Sequence, residues 1–503
     1  MRVRFVGPLL FFAVSSQRRC KMSSALAVCA LIWLGCAPPE PAADVGGVLT
    51  VADTPTRART PDGLYISWKE HLIDDEQVSG GVVLRGGDGL KMADLDADGH
   101  LDIVSVHEDN HHIRLAFGTG DPDKWELATL AEGMAEAGAA EDVSIADANG
   151  DGHLDLVVAC ELAHLIYFQN PGDRETIRSG KWPRLIPDVA NNRGSYIRVF
   201  FVDLDGDGRP EVTAPNKGDQ LAAGGAKKED FPLKEISWFA LPENPLDGKD
   251  WKEHVLARVT IPINSEPVDM DGDGDWDLLG GSRGEARTFW FENLGGKPVQ
   301  FREHRMDVTG RNAPQQPGGK RLTGMNVAFH DLNEDGRLDV ILQETPTLVV
   351  WLEQPDDFSK PWVIHPIGDI APDSTTGLAL TDINSDGRFD VMTGGYSQNP
   401  RDHDGEDIDA SSRTGRLAWF EQSEDVTQPW TRHDISRRKR GMFDAFIARD
   451  MDADGDVDFV TTRGNSANFD GVLWLEQVRT KEPVKAFQPA RASESAHLPL
   501  PPE

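Results

Sequence analysis

Short apolar runs and acidic, glycine-bearing turns alternate along this chain in one repeating order. Ile103-Val104, Leu156-Val157 and Val340-Ile341 are examples of the runs. Turn residues bound them, and they carry no helical periodicity, so they predict short β-strands. An acidic nonapeptide precedes each run. Asp94 to Asp102 reads DLDADGHLD, Asp147 to Asp155 DANGDGHLD, Asp203 to Glu211 DLDGDGRPE and Asp269 to Asp277 DMDGDGDWD. Asp331 to Asp339 reads DLNEDGRLD, Asp382 to Asp390 DINSDGRFD and Asp450 to Asp458 DMDADGDVD. The starts lie 51 to 68 residues apart, a spacing typical of propeller blades or repeat arrays.

The rest of the unit repeats as well. WFEN at Trp290, WLEQ at Trp351, WFEQ at Trp419, WLEQ at Trp474 and the variant YFQN at Tyr167 recur beyond the acidic turn. WKEH at Trp251, WVIH at Trp362, WTRH at Trp430 and the variant FREH at Phe301 follow. Each unit therefore predicts one antiparallel sheet of four short strands, and seven such sheets set radially make a β-propeller. The seventh unit lacks its W-x-x-H strand, while an orphan copy stands before the first turn, at Trp68 to His71. The expected fold is all-β: a seven-bladed propeller closed by its N-terminal strand.

Inner strands alternate their two faces with period two. Counting back from each turn, offsets two and four are mostly apolar, as in Leu90 and Met92, Val143 and Ile145, or Val199 and Phe201. These predict packing between sheets. Offsets three and five hold Lys91, Asp142, Ser144, Arg198, Asn264, Glu266 and Asn326, which predict a polar channel wall.

The turns place side-chain oxygens at positions 1, 3, 5 and 9, with glycine at 6. Clustered carboxylates repel one another unless a cation joins them. Oxygen ligands in a flexible loop suit calcium better than magnesium. The predicted ligands are Asp94, Asp96, Asp98 and Asp102; Asp147, Asn149, Asp151 and Asp155; Asp203, Asp205, Asp207 and Glu211. They continue with Asp269, Asp271, Asp273 and Asp277; Asp331, Asn333, Asp335 and Asp339; Asp382, Asn384, Asp386 and Asp390; and Asp450, Asp452, Asp454 and Asp458. Position 12, a bidentate glutamate in an EF-hand, is Ser105, Val158, Ala214, Gly280, Leu342, Thr393 or Thr461 here. The turn is therefore not an EF-hand, and up to seven structural calcium ions are expected. In VDMDGDGDWDLLGG (268–281), two D-x-D-x-D frames overlap. Only the frame from Asp269 puts Gly274 at position 6, which leaves Asp275 its backbone carbonyl as ligand and its side chain free.

This repeat resembles the FG-GAP/VCBS class, the calcium-loop propeller repeat of integrin α-subunit heads and many secreted bacterial proteins. The combination of D-x-D-x-D-G, W-x-E-N/Q and W-x-x-H is also similar to the propeller of aldos-2-ulose dehydratase-like proteins. The Phe-Gly…Gly-Ala-Pro signature of integrin copies is not evident, so integrin-type ligand binding is not implied.

Composition narrows the setting. With 84 acids against 51 bases, the formal charge is −33, which argues against nucleic-acid binding. Arg18, Arg19 and Lys21 precede the apolar run SALAVCALIWLG (24–35), and Cys36 follows. This is the layout of a secretory signal. It resembles a bacterial lipoprotein signal, with Cys36 as the lipidated residue. Residues 1–36 are read as signal, with 1–21 as an upstream extension. Residues 37–60 are read as a flexible linker, 61–482 as the propeller and 483–503 as a disordered tail. The implied location is extracytoplasmic, as an outer-membrane lipoprotein or a secreted protein, and a monomer that meets a membrane only through a lipid anchor is expected. Cys160 has no partner for a disulfide and reads as a buried strand residue.

Two functions fit these features. One is a binding or scaffold protein that recognises glycans or extracellular proteins through the face opposite the acidic turns. The other is a sugar lyase or dehydratase using the channel, with Lys91, Arg198 and Glu266 as catalytic candidates. Ligand-binding candidates are His107, His111, His112, Asp142, Asn264 and Asn326. His254, His365 and His433 occur once per blade and read as packing residues. The run RRKR (437–440) reads as a solvated loop.

Overall fold

A computed structural model of the chain describes residues 48–162, 164–218, 231–310, 321–397, 408–492 and 496–501. The signal and Cys36 lie outside them. Seven sheets form a ring. Blade one contains Gly87–Ala93, Asp102–His107, His112–Gly118 and Trp125–Glu132, all antiparallel. Blades two to six occupy residues 140–185, 200–260, 262–305, 308–369 and 374–438. In blade seven, Phe446–Arg449, Asp458–Arg463 and Gly471–Thr480 pair in order, and the N-terminal strand Tyr65–Asp75 joins them. Trp68 to His71 thus completes the last blade, as the orphan motif implies. Ile73, Val460, Val472 and Trp474 of that blade pack against Leu90, Ile103 and Ala116 of blade one, which closes the ring. Among the described residues, no helix is long and apolar enough to cross a membrane.

The tryptophan motifs explain how each blade holds its outer half. Trp290, Trp351, Trp419 and Trp474 lie directly opposite His304, His365, His433 and His71 on the neighbouring strand. The rings stack at 4.1–4.4 Å between centroids. His365 Nε2 and His433 Nε2 contact Glu353 and Glu421 at 2.8 and 2.7 Å. These glutamates are the E of W-x-E. The repeated histidines are therefore packing residues. Trp238 and His254 stack in the same way without a glutamate.

The amide that ends W-x-E-N/Q ties one blade to the next. Its backbone N–H donates to the position 9 carboxylate of its own turn, from Asn170, Asn293, Gln354, Gln422 and Gln477. Its side-chain NH2 donates to the position 2 carbonyl of the preceding blade's turn: Leu95, Leu204, Met270, Leu332 and Ile383.

Inner-strand packing follows the alternation. Leu90, Val143 and Val199 lie in the cores between blades, and Met92, Ile145 and Phe201 pack against them. Cys160 is fully buried in its strand.

Three expectations need correction. In the segment read as linker, Val51, Ala52 and Ala58 are buried. In the segment read as tail, Phe487–Gln488 pairs parallel with Trp68–Lys69, and Phe487 enters the core of blade seven. The run RRKR is not a solvated loop, because Arg437 and Arg438 are almost fully buried. Arg437 grips Asp373 with two donors at 2.8 and 3.0 Å, and Arg438 reaches Glu70 at 2.6 Å. Its Lys439 N–H meets the Ala496 carbonyl, so the run anchors the C-terminal segment. Buried guanidinium groups need paired, hydrogen-bonded partners, and Asp373 and Glu70 supply them.

Gln354→Ala should lower stability by about 2 kcal/mol, because it leaves buried carbonyls at Met270 and Leu338 without a donor. Urea unfolding measures this. A loss no larger than that of a surface Gln→Ala control would remove the inter-blade amide from the account.

Candidate metal turns and the opposite channel mouth

All seven turns fold alike. Glycine at position 6 has φ between 86° and 96° at Gly99, Gly152, Gly208, Gly274, Gly336, Gly387 and Gly455. That left-handed conformation costs glycine little. Position 1 accepts the position 6 N–H in each copy, as from Gly99 to Asp94 at 2.9 Å and from Gly336 to Asp331 at 2.7 Å. Position 9 is buried in six copies and half-buried at Glu211. Its oxygens accept backbone N–H groups from position 2 and, in six copies, from the end of strand three. In blade one these are Leu95 and Gly118, at 2.8 and 2.9 Å. Burial pushes these acids upward, Asp102 and Asp155 to about 6, Glu211, Asp277, Asp339 and Asp458 to about 7, and Asp390 to about 8.

Carboxylate oxygens converge within 4.8 Å in Asp94/Asp96/Asp102, Asp203/Asp205/Glu211, Asp269/Asp271/Asp273 and Asp450/Asp452/Asp458. This oxygen-only donor set fits a hard divalent cation. In the other three turns, position 3 is Asn149, Asn333 or Asn384, whose Oδ1 accepts the position 5 N–H as Asp205, Asp271 and Asp452 do. The first turn has cationic neighbours too. Arg178 lies 2.5 Å from Asp96 and 3.0 Å from Asp98, and Arg174 lies 2.6 Å from Asp98. Asp96 Oδ1 remains buried without a hydrogen-bond partner.

The fourth turn supports the frame from Asp269, with Gly274 at φ 96° and Trp276 half exposed. Asp275 departs from expectation. Its Oδ1 is buried without a partner, and burial, then Asp273 and Asp271, push the acid up to about 6. The side chain leans on the turn rather than standing free.

The channel gathers several polar residues. Arg198 of blade three bonds Asn326 of blade five and lies 3.6 Å from Asp444 of blade seven. Asn326 also donates to the Thr376 carbonyl of blade six at 2.8 Å. Burial pushes Glu266 upward, while Lys91, then Asn264 and Arg198, oppose that shift. Lys91, Arg198 and Glu266 thus share one electrostatic site. Asp142 accepts the Val199 N–H at 3.1 Å, and Asn264 is fully buried, so both are engaged within the scaffold.

The three histidines of HEDNHH do not form a ligand set. His107 is fully buried, its Nε2 3.1 Å from Ser105, and burial pushes it down to about 3. His111 Nδ1 accepts the Ala139 N–H, and His112 Nε2 lies 3.3 Å from Glu132. No histidine of the described residues joins a cluster of converging donors.

A different cluster forms where the second strands end, opposite the acidic turns. Oxygens of Glu108, Glu141 and Glu161 converge within 4.8 Å, and Lys217 pairs with Glu161. Burial, then Glu108, push Glu141 up to about 8, and burial pushes Lys217 and Arg283 down. The missed signal is positional: Glu108, Glu161, Lys217 and Arg283 each lie fourteen residues after a turn's first aspartate, and Asp88, Glu141 and Asp444 each lie six before one.

The comparisons agree with the repeat geometry. The family described as "FG-GAP-like repeat" matches residues 94–158, 269–342 and 331–393. The chain carries FG-GAP-like repeats within a seven-bladed propeller. The matched segments begin at acidic turns, so the FG-GAP-like unit here is the turn with its flanking strands. No curated protein matches by sequence. One similar solved structure is an arginine-to-alanine triple mutant of AofleA from Arthrobotrys oligospora. Identity is 10% and the TM-score 0.37, over 77% of this chain and 95% of that one.

Calorimetric calcium titration should count one site fewer in Asp271→Ala and an unchanged number in Asp275→Ala. Equal losses would place the ligand frame at Asp271 instead.

Proposed function

We propose that this FG-GAP-like propeller is an extracytoplasmic binding protein, stabilised by calcium in its acidic turns, that recognises glycans through the opposite face. The observation that supports this reading most directly is the mouth of the channel on that face. Glu108, Glu141, Glu161, Lys217 and Arg283 gather there, on a scaffold whose turns lie at the other end of the same strands. Charged acceptors and donors gathered on a rigid scaffold suit a polyhydroxylated ligand. Rigid scaffolds commonly recognise ligands through such loops. The signal-like N-terminus and Cys36 support export and a lipid tether.

A second reading, as a lyase or dehydratase acting on sugars, draws on the same cluster. Carboxylates and cationic groups side by side provide a base and a counter-charge for a developing enolate. The channel trio of Lys91, Arg198 and Glu266 offers the same combination deeper in.

Glycan-array binding by the calcium-loaded protein tests the first reading. Binding to defined glycans that is lost in Lys217→Ala/Arg283→Ala is the expected result. Binding only to extracellular proteins would overturn the glycan assignment. New ultraviolet absorbance from acidic oligosaccharides would favour the lyase.

A further inference from the structure

We propose that Glu108, Glu141 and Glu161, with Asp88 beside them, hold a hard divalent cation at the channel mouth, separate from the acidic turns. The three glutamates come from different places in the chain. Glu108 follows the second strand of blade one, Glu141 lies in the inner strand of blade two, and Glu161 follows that blade's second strand. Their oxygens nevertheless converge within 4.8 Å. Glu141 and Glu161 are buried, at 8% and 3% exposure. No turn geometry forces this meeting, unlike the nonapeptides, where neighbours in sequence must cluster.

Asp88 supplies an independent observation. It is 5% exposed, and its Oδ2 is buried with no hydrogen-bond partner. The charges that act on it most strongly are Glu141, Glu108, Asp444 and Asp109, all acids. A buried carboxylate facing other carboxylates is costly unless a cation compensates it. Lys217 pairs with Glu161, and Arg198 and Arg283 also act on Glu141. Lys217 also acts on Glu141, Glu108 and Asp88, so one ammonium is shared among four carboxylates. A donor set made only of carboxylates selects calcium, magnesium or manganese over zinc or copper. Lys217 would compete with the ion for Glu161, so removing its charge should strengthen binding.

The test uses the full chain, stripped with chelator and dialysed to saturation against calcium or manganese, with ions per chain counted by mass spectrometry. Wild type should hold one ion more than Glu141→Gln/Glu161→Gln, for at least one of the two metals. Asp271→Ala should lose a different ion, and the two losses should add. Lys217→Met should keep the ion and fill the site at about tenfold lower concentration, a change of about 1.4 kcal/mol. Equal counts in wild type and Glu141→Gln/Glu161→Gln would overturn the proposal. If that variant misfolds, it will lose turn ions as well, and Lys217→Met decides instead: unchanged affinity would overturn the proposal. This test is independent of glycan binding, so either claim can fail alone.

Discussion

The buried acid at position 9 of each turn is the constraint on which the rest of this propeller depends. In six copies its two oxygens accept N–H groups from position 2 of the turn and from the end of the third strand, as at Asp339. One carboxylate thus fixes the turn, the second strand it opens and the third strand beside it. In five blades the next link is the amide that follows, which reaches the preceding blade's turn. Consecutive blades are therefore coupled through the acidic end of the ring, in addition to their apolar contacts. The same burial pushes these acids toward neutrality, with Asp390 at about 8. A cation held by positions 1, 3 and 5 would offset that cost where it arises.

The repeat, the blade count and the closure by Trp68 to His71 were legible because they depend on local patterns at fixed spacing. Inner-strand alternation was legible for the same reason. What escaped depends on contacts between distant segments. RRKR looks like a solvated run until Asp373 and Glu70 are placed beside Arg437 and Arg438. Apolar residues of the terminal segments, such as Ala52 and Phe487, are too few to announce a core of their own; blade seven provides it. The channel-mouth cluster was missed because the count along the inner strand stopped at offset five, one residue short of Asp88, Glu141 and Asp444. The shift of Asp275 by Asp273 and Asp271 depends on the fold of the turn and has no signal in the sequence.

The two ends of the strands carry different chemistry. At one end, the same turn recurs seven times with nearly constant backbone angles, as expected of a device serving the scaffold. At the other, equivalent positions hold glutamate at Glu108 and Glu161 but Lys217, Arg283 and Tyr396 elsewhere, so the group presented varies around the ring. Constancy at one end and variety at the other is the physical basis on which stability is proposed for the first and recognition for the second. Arg198 spans the channel toward Asn326 and Asp444.

The central claim is that cations in the turns hold the ring together. Thermal unfolding of the chelated protein, with and without added calcium, tests it most directly. The account predicts a large fall in Tm on chelation and full recovery with calcium. An unchanged melting curve in the chelated protein would contradict it.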